Sequence, residues 1–158
     1  MTRHERQLVV GVAELLREPG TQREVALTVP VAGIEGPASA VPDGAEAVLA
    51  LTLESTLGEA VAVHGTVRAP WRGECRRCLE PMRGELETEV AELFERDPTD
   101  EESWPIVDDE VDLGPLVREL LLLALPGLPL CRPDCPGPSP ADYPVTVEGE
   151  GPPPADPR

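Results

Sequence analysis

Hydrophobic and polar side chains alternate most regularly in the middle of the chain, between residues 47 and 94. In the first stretch, Leu49, Leu51 and Leu53 fall on one face of a strand that runs from Ala47 to Ser55. A turn at 56–59 leads to a second stretch, whose apolar face holds Val61, Val63, Gly65, Val67 and Ala69. A period of two residues is typical of strands with one buried face, so the two stretches predict an antiparallel hairpin.

The same alternation predicts further strands on either side of this hairpin. One runs from Gln22 to Val29, and another from about Met82 to Phe94 carries Glu85, Glu87 and Glu89 on its polar face. A short strand is predicted at 8–10. Prolines and glycines predict a loop at 30–44 and a break at 70–73, and polar, acidic residues predict a mobile loop at 95–110.

Two segments have the pattern of helices. The first runs from residue 12 to 17 and ends before Gly20, and the second begins after Asp112, a residue type that caps helices. Its second half, 120–125, is apolar on every side before Pro126 ends it. Such a helix is either packed on several sides or offers a face to a partner, and we expect a core helix.

These elements predict an α+β fold: a strongly bent antiparallel sheet, partly barrel-like, packed with one or two helices. A length of 158 residues fits one domain, which we place at 1–137. Residues 138–158 are rich in proline, glycine and acid, and this composition predicts a disordered tail.

The net charge of −17 narrows the choice of partners. A chain this acidic is repelled by phosphates unless its arginines cluster, so a basic protein is the better-matched partner, while simple solubility explains the charge equally well. No apolar run reaches the ~20 residues that span a bilayer, and the N-terminus lacks a secretory pattern. We therefore expect a cytoplasmic protein with no membrane partner.

All four cysteines lie in two short-spaced pairs, Cys75/Cys78 and Cys131/Cys135. Paired thiols in a reducing compartment favour metal binding over a disulfide, and two such pairs can converge on one tetrahedral zinc ion. The interval between the pairs is long, so free thiols and a redox pair formed by Cys75 and Cys78 are alternatives. A structural zinc site bound by all four thiols is the preferred hypothesis.

Five arginines, Arg68, Arg72, Arg76, Arg77 and Arg83, surround the first cysteine pair. They form either a set of solvated charges or a local basic face for a partner. Candidate catalytic groups are scarce, because His4 lies near the terminus and His64 falls on the polar side of a strand. Neither forms a convincing nucleophile–base pair, and the runs of carboxylates are explained by solvated faces, so no enzyme is predicted.

Four stretches carry a resemblance to a known family: 73–79 with the first cysteine pair, 92–94, 112–113 with the leucine-rich helix, and 125–137 with the second pair. In this order they resemble the YceD family, the large ribosomal RNA subunit accumulation proteins, over most of residues 8–137. The resemblance implies a non-enzymatic factor that supports ribosomal RNA accumulation and ribosome assembly. It also implies a large-subunit ribosomal protein or precursor ribosomal RNA as partner, with no small-molecule substrate. The expected contact surfaces of such a factor are the acidic face at 85–89, with Glu85, Glu87 and Glu89, and the arginine cluster, whose partner-binding residues are Arg72, Arg76, Arg77 and Arg83.

The chain departs from the family pattern after the second cysteine pair. Many relatives continue with a further Cys-x-x-Cys, where this chain has Ser139-Pro140-Ala141-Asp142. A family site built on that trailing pair is broken here, whereas a site built on the two remaining pairs is intact. The second option is preferred because those pairs alone supply four ligands.

Overall fold

Strands dominate the computed structural model of the protein, which describes residues 5–57, 59–98 and 102–138. A 3-10 turn at Glu5–Leu8 precedes the first strand. The strands are β1 Val9–Gly11, β2 Gln22–Pro30, β3 Ser39–Ala40, β4 Glu46–Ser55, β5 Ala60–Glu74, β6 Pro81–Glu95, β7 Ser103–Val107 and β8 Glu110–Asp112. Two helices accompany them, α1 at Ala13–Arg17 and α2 at Leu113–Ala124.

The strands form one strongly curled sheet in the order β1-β8-β7-β6-β5-β4-β2, with β3 paired to β5. The predicted α+β class is confirmed, and the shape is that of a half-barrel. The sheet is mixed, because β7 runs parallel to β6 while the other paired strands are antiparallel. A two-residue turn at Asp108 and Asp109, both with positive φ, joins β7 to β8 in the geometry that hairpins prefer.

The longest pairing in the sheet is the β5–β6 hairpin, whose register runs from Ala60 opposite Glu95 to Glu74 opposite Pro81. The predicted break at 70–73 is wrong, because β5 continues through Pro70 to Glu74. The pairing of β5 with β4 ends at Arg68, so Pro70 has a ladder on the β6 side alone. A strand tolerates proline where one of its sides is unpaired.

The predicted mobile loop at 95–110 is wrong for its second half. Residues 103–107 form β7, and Trp104 lies in register with Phe94 of β6. The two rings stack with centroids 6.3 Å apart, and the Trp104 indole N–H donates to Glu92. Ile106 is the one buried side chain of this short strand. A single buried position among acidic neighbours gives no alternating pattern, so the sequence did not indicate a strand here.

The hydrophobic core fills the concave face of the sheet. Its largest fully buried side chains, taken from β4, β5, β6 and α2 together, include Leu49, Leu53, Val61, Val63, Phe94, Leu116 and Leu121. The faces predicted from alternation on β4 and β5 are therefore the buried ones. In the part of the chain that the structure describes, Phe94 is the one buried aromatic side chain in an otherwise aliphatic core, as expected for a chain in which 3% of residues are aromatic.

Helix α2 closes the concave side of the sheet. The Asp112 carboxylate accepts a hydrogen bond from the Gly114 N–H at 2.8 Å, which is the predicted N-cap. Leu113, Leu116, Val117 and Leu121 are buried, whereas Leu122 and Leu123 are 44% and 75% exposed. The apolar second half of the helix thus supplies core contacts on one side and leaves two leucines in solvent on the other.

Gly65 lets β5 follow the curl of the sheet. Its φ of 143° is one that residues with a side chain rarely adopt, and a Cβ atom there would lie 2.1 Å from the Ala50 carbonyl oxygen of β4. The two strands therefore approach each other more closely here than a side chain would allow.

The proposed tail falls almost wholly on residues 139–158, which lie outside the described part of the chain, as does His4. The division into a domain and a disordered tail stays a prediction. Within the described residues, α2 is the longest helix, and neither it nor α1 has the length and apolar character needed to cross a bilayer.

Candidate metal centre

The tip of the β5–β6 hairpin holds the first cysteine pair. The Leu79 N–H donates to the Cys75 carbonyl at 2.9 Å, and the Cys75 N–H donates to the Glu80 carbonyl at the same distance. Leu79 adopts a φ of 62°, in the left-handed region that favours glycine. This tight turn brings the Cys75 and Cys78 sulfurs to one side of the tip.

The segment after α2 brings the second pair to the same place. Ser39 Oγ donates to the Pro126 carbonyl at 2.7 Å and fixes the chain where the helix ends. The Arg76 N–H then donates to the Pro129 carbonyl at 2.9 Å, which joins the hairpin tip directly to this segment. The Cys135 N–H donates to the Arg132 carbonyl and closes a second turn.

All four cysteine sulfurs lie within 4.8 Å of one another. Two contacts cross between the pairs, from Cys75 to Cys135 and from Cys78 to Cys131, and both measure 3.8 Å. Four sulfurs placed ~2.3 Å from a central zinc ion form a tetrahedron with edges of about 3.8 Å. The observed spacing therefore fits a four-thiolate metal site, and the structure brings the two distant motifs together as the sequence predicted.

Backbone donors create an asymmetric electrostatic environment in the cluster. The N–H groups of Cys78 and Cys131 point at the Cys75 sulfur and lower the pKa of that thiol to about 5. The sulfur of Cys135 acts in the opposite direction on Cys131 and raises its pKa to about 12. The pKa of Cys78 also rises, because desolvation and the neighbouring sulfurs outweigh a backbone hydrogen bond from Glu80. The cluster in the absence of a metal therefore favours a thiolate at Cys75.

The four candidate partner-binding arginines gather at the hairpin tip. Arg72 lies directly opposite Arg83 in the β5–β6 register, and both side chains are exposed. Arg76 and Arg77 are exposed in the turn, and the Arg77 guanidinium donates to the Cys135 carbonyl at 3.0 Å. Arg77 therefore helps to hold the second cysteine motif. Arg68 lies further along β5 and forms a 2.5 Å ion pair with Glu87 of β6.

The structure leaves the other candidate groups on the outer face of the sheet. Glu85, Glu87 and Glu89 are exposed along β6. His64 is exposed at an open cleft of about 550 Å³ that Ser103 also lines. The Ser103 hydroxyl makes no hydrogen bond to any described group, so it does not form a nucleophile–base pair with His64.

Sequence reasoning missed the backbone groups that build the centre. The Cys131 N–H donates to the Cys75 sulfur at 3.5 Å, and the Pro129 carbonyl holds the tip. Main-chain donors and acceptors are common to nearly every residue type, so the sequence gives no signal of which ones will be used. The left-handed Leu79 was equally hidden, because glycine or asparagine usually marks such a position.

With this geometry established, comparison with known proteins places the chain in a family. A family described as "Large ribosomal RNA subunit accumulation protein YceD" matches residues 63–158. The chain belongs to the YceD family. The matched region starts in β5 and includes both cysteine pairs and α2.

Several mycobacterial proteins are similar in sequence to this YceD chain. Uncharacterized proteins of Mycobacterium bovis and Mycobacterium tuberculosis are 41% identical over 138 residues, which cover 82% of this chain and 66% of theirs. An uncharacterized protein of Mycobacterium leprae is 34% identical over 138 residues, covering 82% of this chain and 63% of its own. The chain thus spans slightly less than two thirds of the length of these relatives. No solved structure matches it.

Proposed function

We propose that this chain is a non-catalytic, cytoplasmic factor that supports accumulation of large-subunit ribosomal RNA through ribosome assembly and carries a structural zinc ion. Membership of the YceD family carries the proposal, because the description of that family names the accumulation of this RNA. The domain that acts comprises residues 1–137, with 138–158 as a tail. Membranes and small-molecule substrates are not among its proposed partners.

The zinc part of the proposal is supported by the donor set. Cys75, Cys78, Cys131 and Cys135 are soft thiol ligands spaced as a zinc tetrahedron requires. Four protein ligands leave no position for a substrate, so such an ion would hold the hairpin tip to the segment after α2. Nearby arginines, of which Arg77 already contacts the Cys135 backbone, offset the negative charge of four thiolates.

Two surfaces are proposed to bind the partner. Arg72, Arg76, Arg77 and Arg83 form a basic tip, and the direct opposition of Arg72 and Arg83 supports a binding role, because like charges in register cost stability. Glu85, Glu87 and Glu89 form an acidic strip on the same hairpin. The basic tip suits precursor ribosomal RNA, and the acidic strip suits a basic large-subunit ribosomal protein.

Affinity purification tests the function directly. The tagged full chain is expressed in growing mycobacterial cells, which hold relatives 41% identical, and is recovered under mild conditions. Large-subunit ribosomal proteins or precursor ribosomal RNA are expected to copurify. Recovery of neither, at an amount comparable with the tagged bait, contradicts the assembly role.

Charge-reversal variants distinguish the two surfaces. If RNA binds the basic tip, Arg72→Glu and Arg83→Glu are expected to weaken binding, and each removed contact lowers the slope of log affinity against log salt by about 1. Arg17→Glu is the matched control, because Arg17 is exposed on α1 and is not part of the tip. If a ribosomal protein binds the acidic strip, Glu85→Arg and Glu89→Arg abolish binding instead.

The alternative function is a thiol–disulfide redox protein that uses Cys75 and Cys78. The lowered pKa of Cys75, to about 5, favours it, because a thiolate is the attacking species. The burial of Cys75 opposes it, since its residue is 0% exposed and cannot easily meet a substrate disulfide. Alkylation with iodoacetamide discriminates the two: a redox thiol at Cys75 reacts fast, whereas zinc-bound thiols react slowly until a chelator is added.

A further inference from the structure

The four sulfurs of the cluster differ sharply in their access to solvent. Cys75 and Cys135 are 0% and 3% exposed, so small reagents reach them poorly. Cys78 is half-buried, and Cys131 is exposed on the segment after α2. Oxidation of cysteine follows access as well as thiolate character, so Cys131 is the sulfur that an oxidant meets first.

The nearest available resolving thiol belongs to the other motif. Cys78 Sγ lies 3.8 Å from Cys131 Sγ, and a disulfide would need the two sulfurs to approach by about 1.8 Å. The remaining close contact, between Cys75 and Cys135, is the buried one. The geometry therefore separates an outer pair, Cys78 and Cys131, from an inner pair, Cys75 and Cys135.

We propose that the outer pair is an oxidation site for hydrogen peroxide, in which Cys131 is attacked first and Cys78 resolves it into a disulfide between the two motifs. The proposal rests on the zinc site proposed above for the release of metal, whereas the choice of the two sulfurs rests on their exposure and their 3.8 Å separation. It assigns a chemical modification to two named sulfurs that the accumulation role does not require.

The chemistry balances with peroxide as the sole oxidant. The Cys131 thiolate attacks one peroxide oxygen, so an S–O bond forms, the O–O bond breaks and hydroxide leaves to take up a proton as water. The Cys78 thiolate then attacks the Cys131 sulfur, so the S–S bond forms, the S–O bond breaks and a second hydroxide leaves as water. Overall, two thiolates, one peroxide and two protons from solvent give one disulfide and two waters, and the disulfide uses two of the four sulfurs that would hold zinc.

The disulfide joins the same two segments that zinc joins. It links the hairpin tip to the segment after α2. Two hydrogen bonds to backbone carbonyls, from the Arg76 N–H to Pro129 and from the Arg77 guanidinium to Cys135, join the same two segments. Loss of zinc by this route is therefore expected to leave the fold intact. When a chelator removes zinc under reducing conditions, no disulfide forms between the two segments, so this replacement link is absent.

Disulfide mapping on the full chain tests the proposal. Purified protein is first analysed for zinc, then treated with hydrogen peroxide while released zinc is followed with a chelating dye. Trypsin cleaves after Arg76 and Arg77, and a protease that cleaves before Asp134 separates Cys131 from Cys135, so every pairing gives distinct peptides. The expected result is a predominant Cys78–Cys131 link formed with zinc release, reversed by dithiothreitol and added zinc.

Two cysteine variants test which of the two sulfurs peroxide attacks first. In Cys78→Ser the sulfenic acid on Cys131 has lost its resolving thiol, so dimedone is expected to label Cys131. In the reciprocal variant, Cys131→Ser, dimedone labelling of Cys78 is expected to be severalfold weaker than the labelling of Cys131 in Cys78→Ser, because Cys78 is the less exposed sulfur. Dimedone labelling of Cys78 equal to that of Cys131 overturns the assignment of Cys131 as first target.

A predominant link between Cys75 and Cys78, or zinc release without any disulfide, also overturns the proposal. Failure of the zinc hypothesis itself is visible earlier, as an absence of zinc before peroxide is added. In that case the link map and dimedone labelling of the metal-free protein decide the outer-pair assignment separately.

Discussion

Asp112 shows how much one side chain contributes at the junction of two elements. It ends β8 in register with Val9 and also caps α2 through its hydrogen bond to the Gly114 N–H. Asp112→Ala removes the acceptor and leaves a helix N–H unpaired, so we expect a loss of about 1 kcal/mol in the free energy of unfolding. Urea denaturation measures this loss. Asp112→Asn keeps an acceptor oxygen and is expected to lose much less, and an equal loss in both variants contradicts the cap.

The cysteines give a second prediction at the scale of single residues. Cys75→Ser and Cys135→Ser each replace a buried sulfur of the cluster, so both are expected to lower zinc content and melting temperature together. Metal analysis and thermal denaturation of the same preparations measure the two effects. Wild-type protein purified without chelators and containing no zinc contradicts the metal hypothesis, whatever the variants do.

At the scale of elements, α2 offers a matched pair of leucines two positions apart. Leu121 is 0% exposed and Leu123 is 75% exposed on the same helix. Leu121→Ala leaves a cavity in the core, so a loss of about 2–5 kcal/mol is expected, whereas Leu123→Ala should cost less than about 0.5 kcal/mol. Chemical denaturation compares them. A similar loss in both variants means that the helix packs differently from the structure.

Strand β5 gives a second test of an element through the close approach at Gly65. Gly65→Ala places a methyl group against the Ala50 carbonyl, so the free energy of unfolding should fall by about 1–3 kcal/mol or more. Gly127→Ala is the control, because a Cβ atom there meets nothing within 4 Å. Equal stability of the two variants contradicts the tight curl of the sheet at this point.

These elements also show what the sequence could predict and what it could not. The alternation on β4, β5 and β6 identified strands and buried faces correctly, because a period of two directly reports a one-sided sheet. Pro70 misled the prediction, since its effect depends on whether a neighbouring strand is present, which is a tertiary fact. Strand β7 was missed because pairing with β6, rather than its own pattern, makes it a strand.

The sequence predicted that the four cysteines would lie close together, but it did not predict the contacts that bring them there. Short spacing within each cysteine pair indicated a shared metal, and the four sulfurs do lie together. The contacts that bring them together, such as the hydrogen bond from the Arg76 N–H to the Pro129 carbonyl, are made by backbone groups. Almost every residue type has these groups, so the sequence does not indicate which ones form the contacts. The division into inner and outer sulfurs depends on burial, which spacing alone does not report.

At the scale of the whole molecule, the cluster connects the tip of the β5–β6 hairpin to the segment after α2. The Cys78–Cys131 and Cys75–Cys135 contacts join residues 53 and 60 positions apart. The proposed zinc ion would bind the folded chain in preference to the unfolded one and so stabilise it, and a chelator is therefore expected to lower the melting temperature. Acid should act in the same direction, because protons compete with zinc for the thiolates as the pH falls. Zinc release and melting temperature that stay constant between pH 8 and pH 5 contradict a thiolate-bound ion.

The separation of the two cysteine motifs along the chain has a consequence for the nascent protein. Synthesis at ~5–20 residues per second releases Cys78 about 3 to 11 seconds before Cys131 emerges. During that interval the first pair offers only two thiols, half of a tetrahedral shell, and α2 is still being translated. A metal that needs all four thiols can therefore be bound completely only after Cys131 and Cys135 have been synthesised.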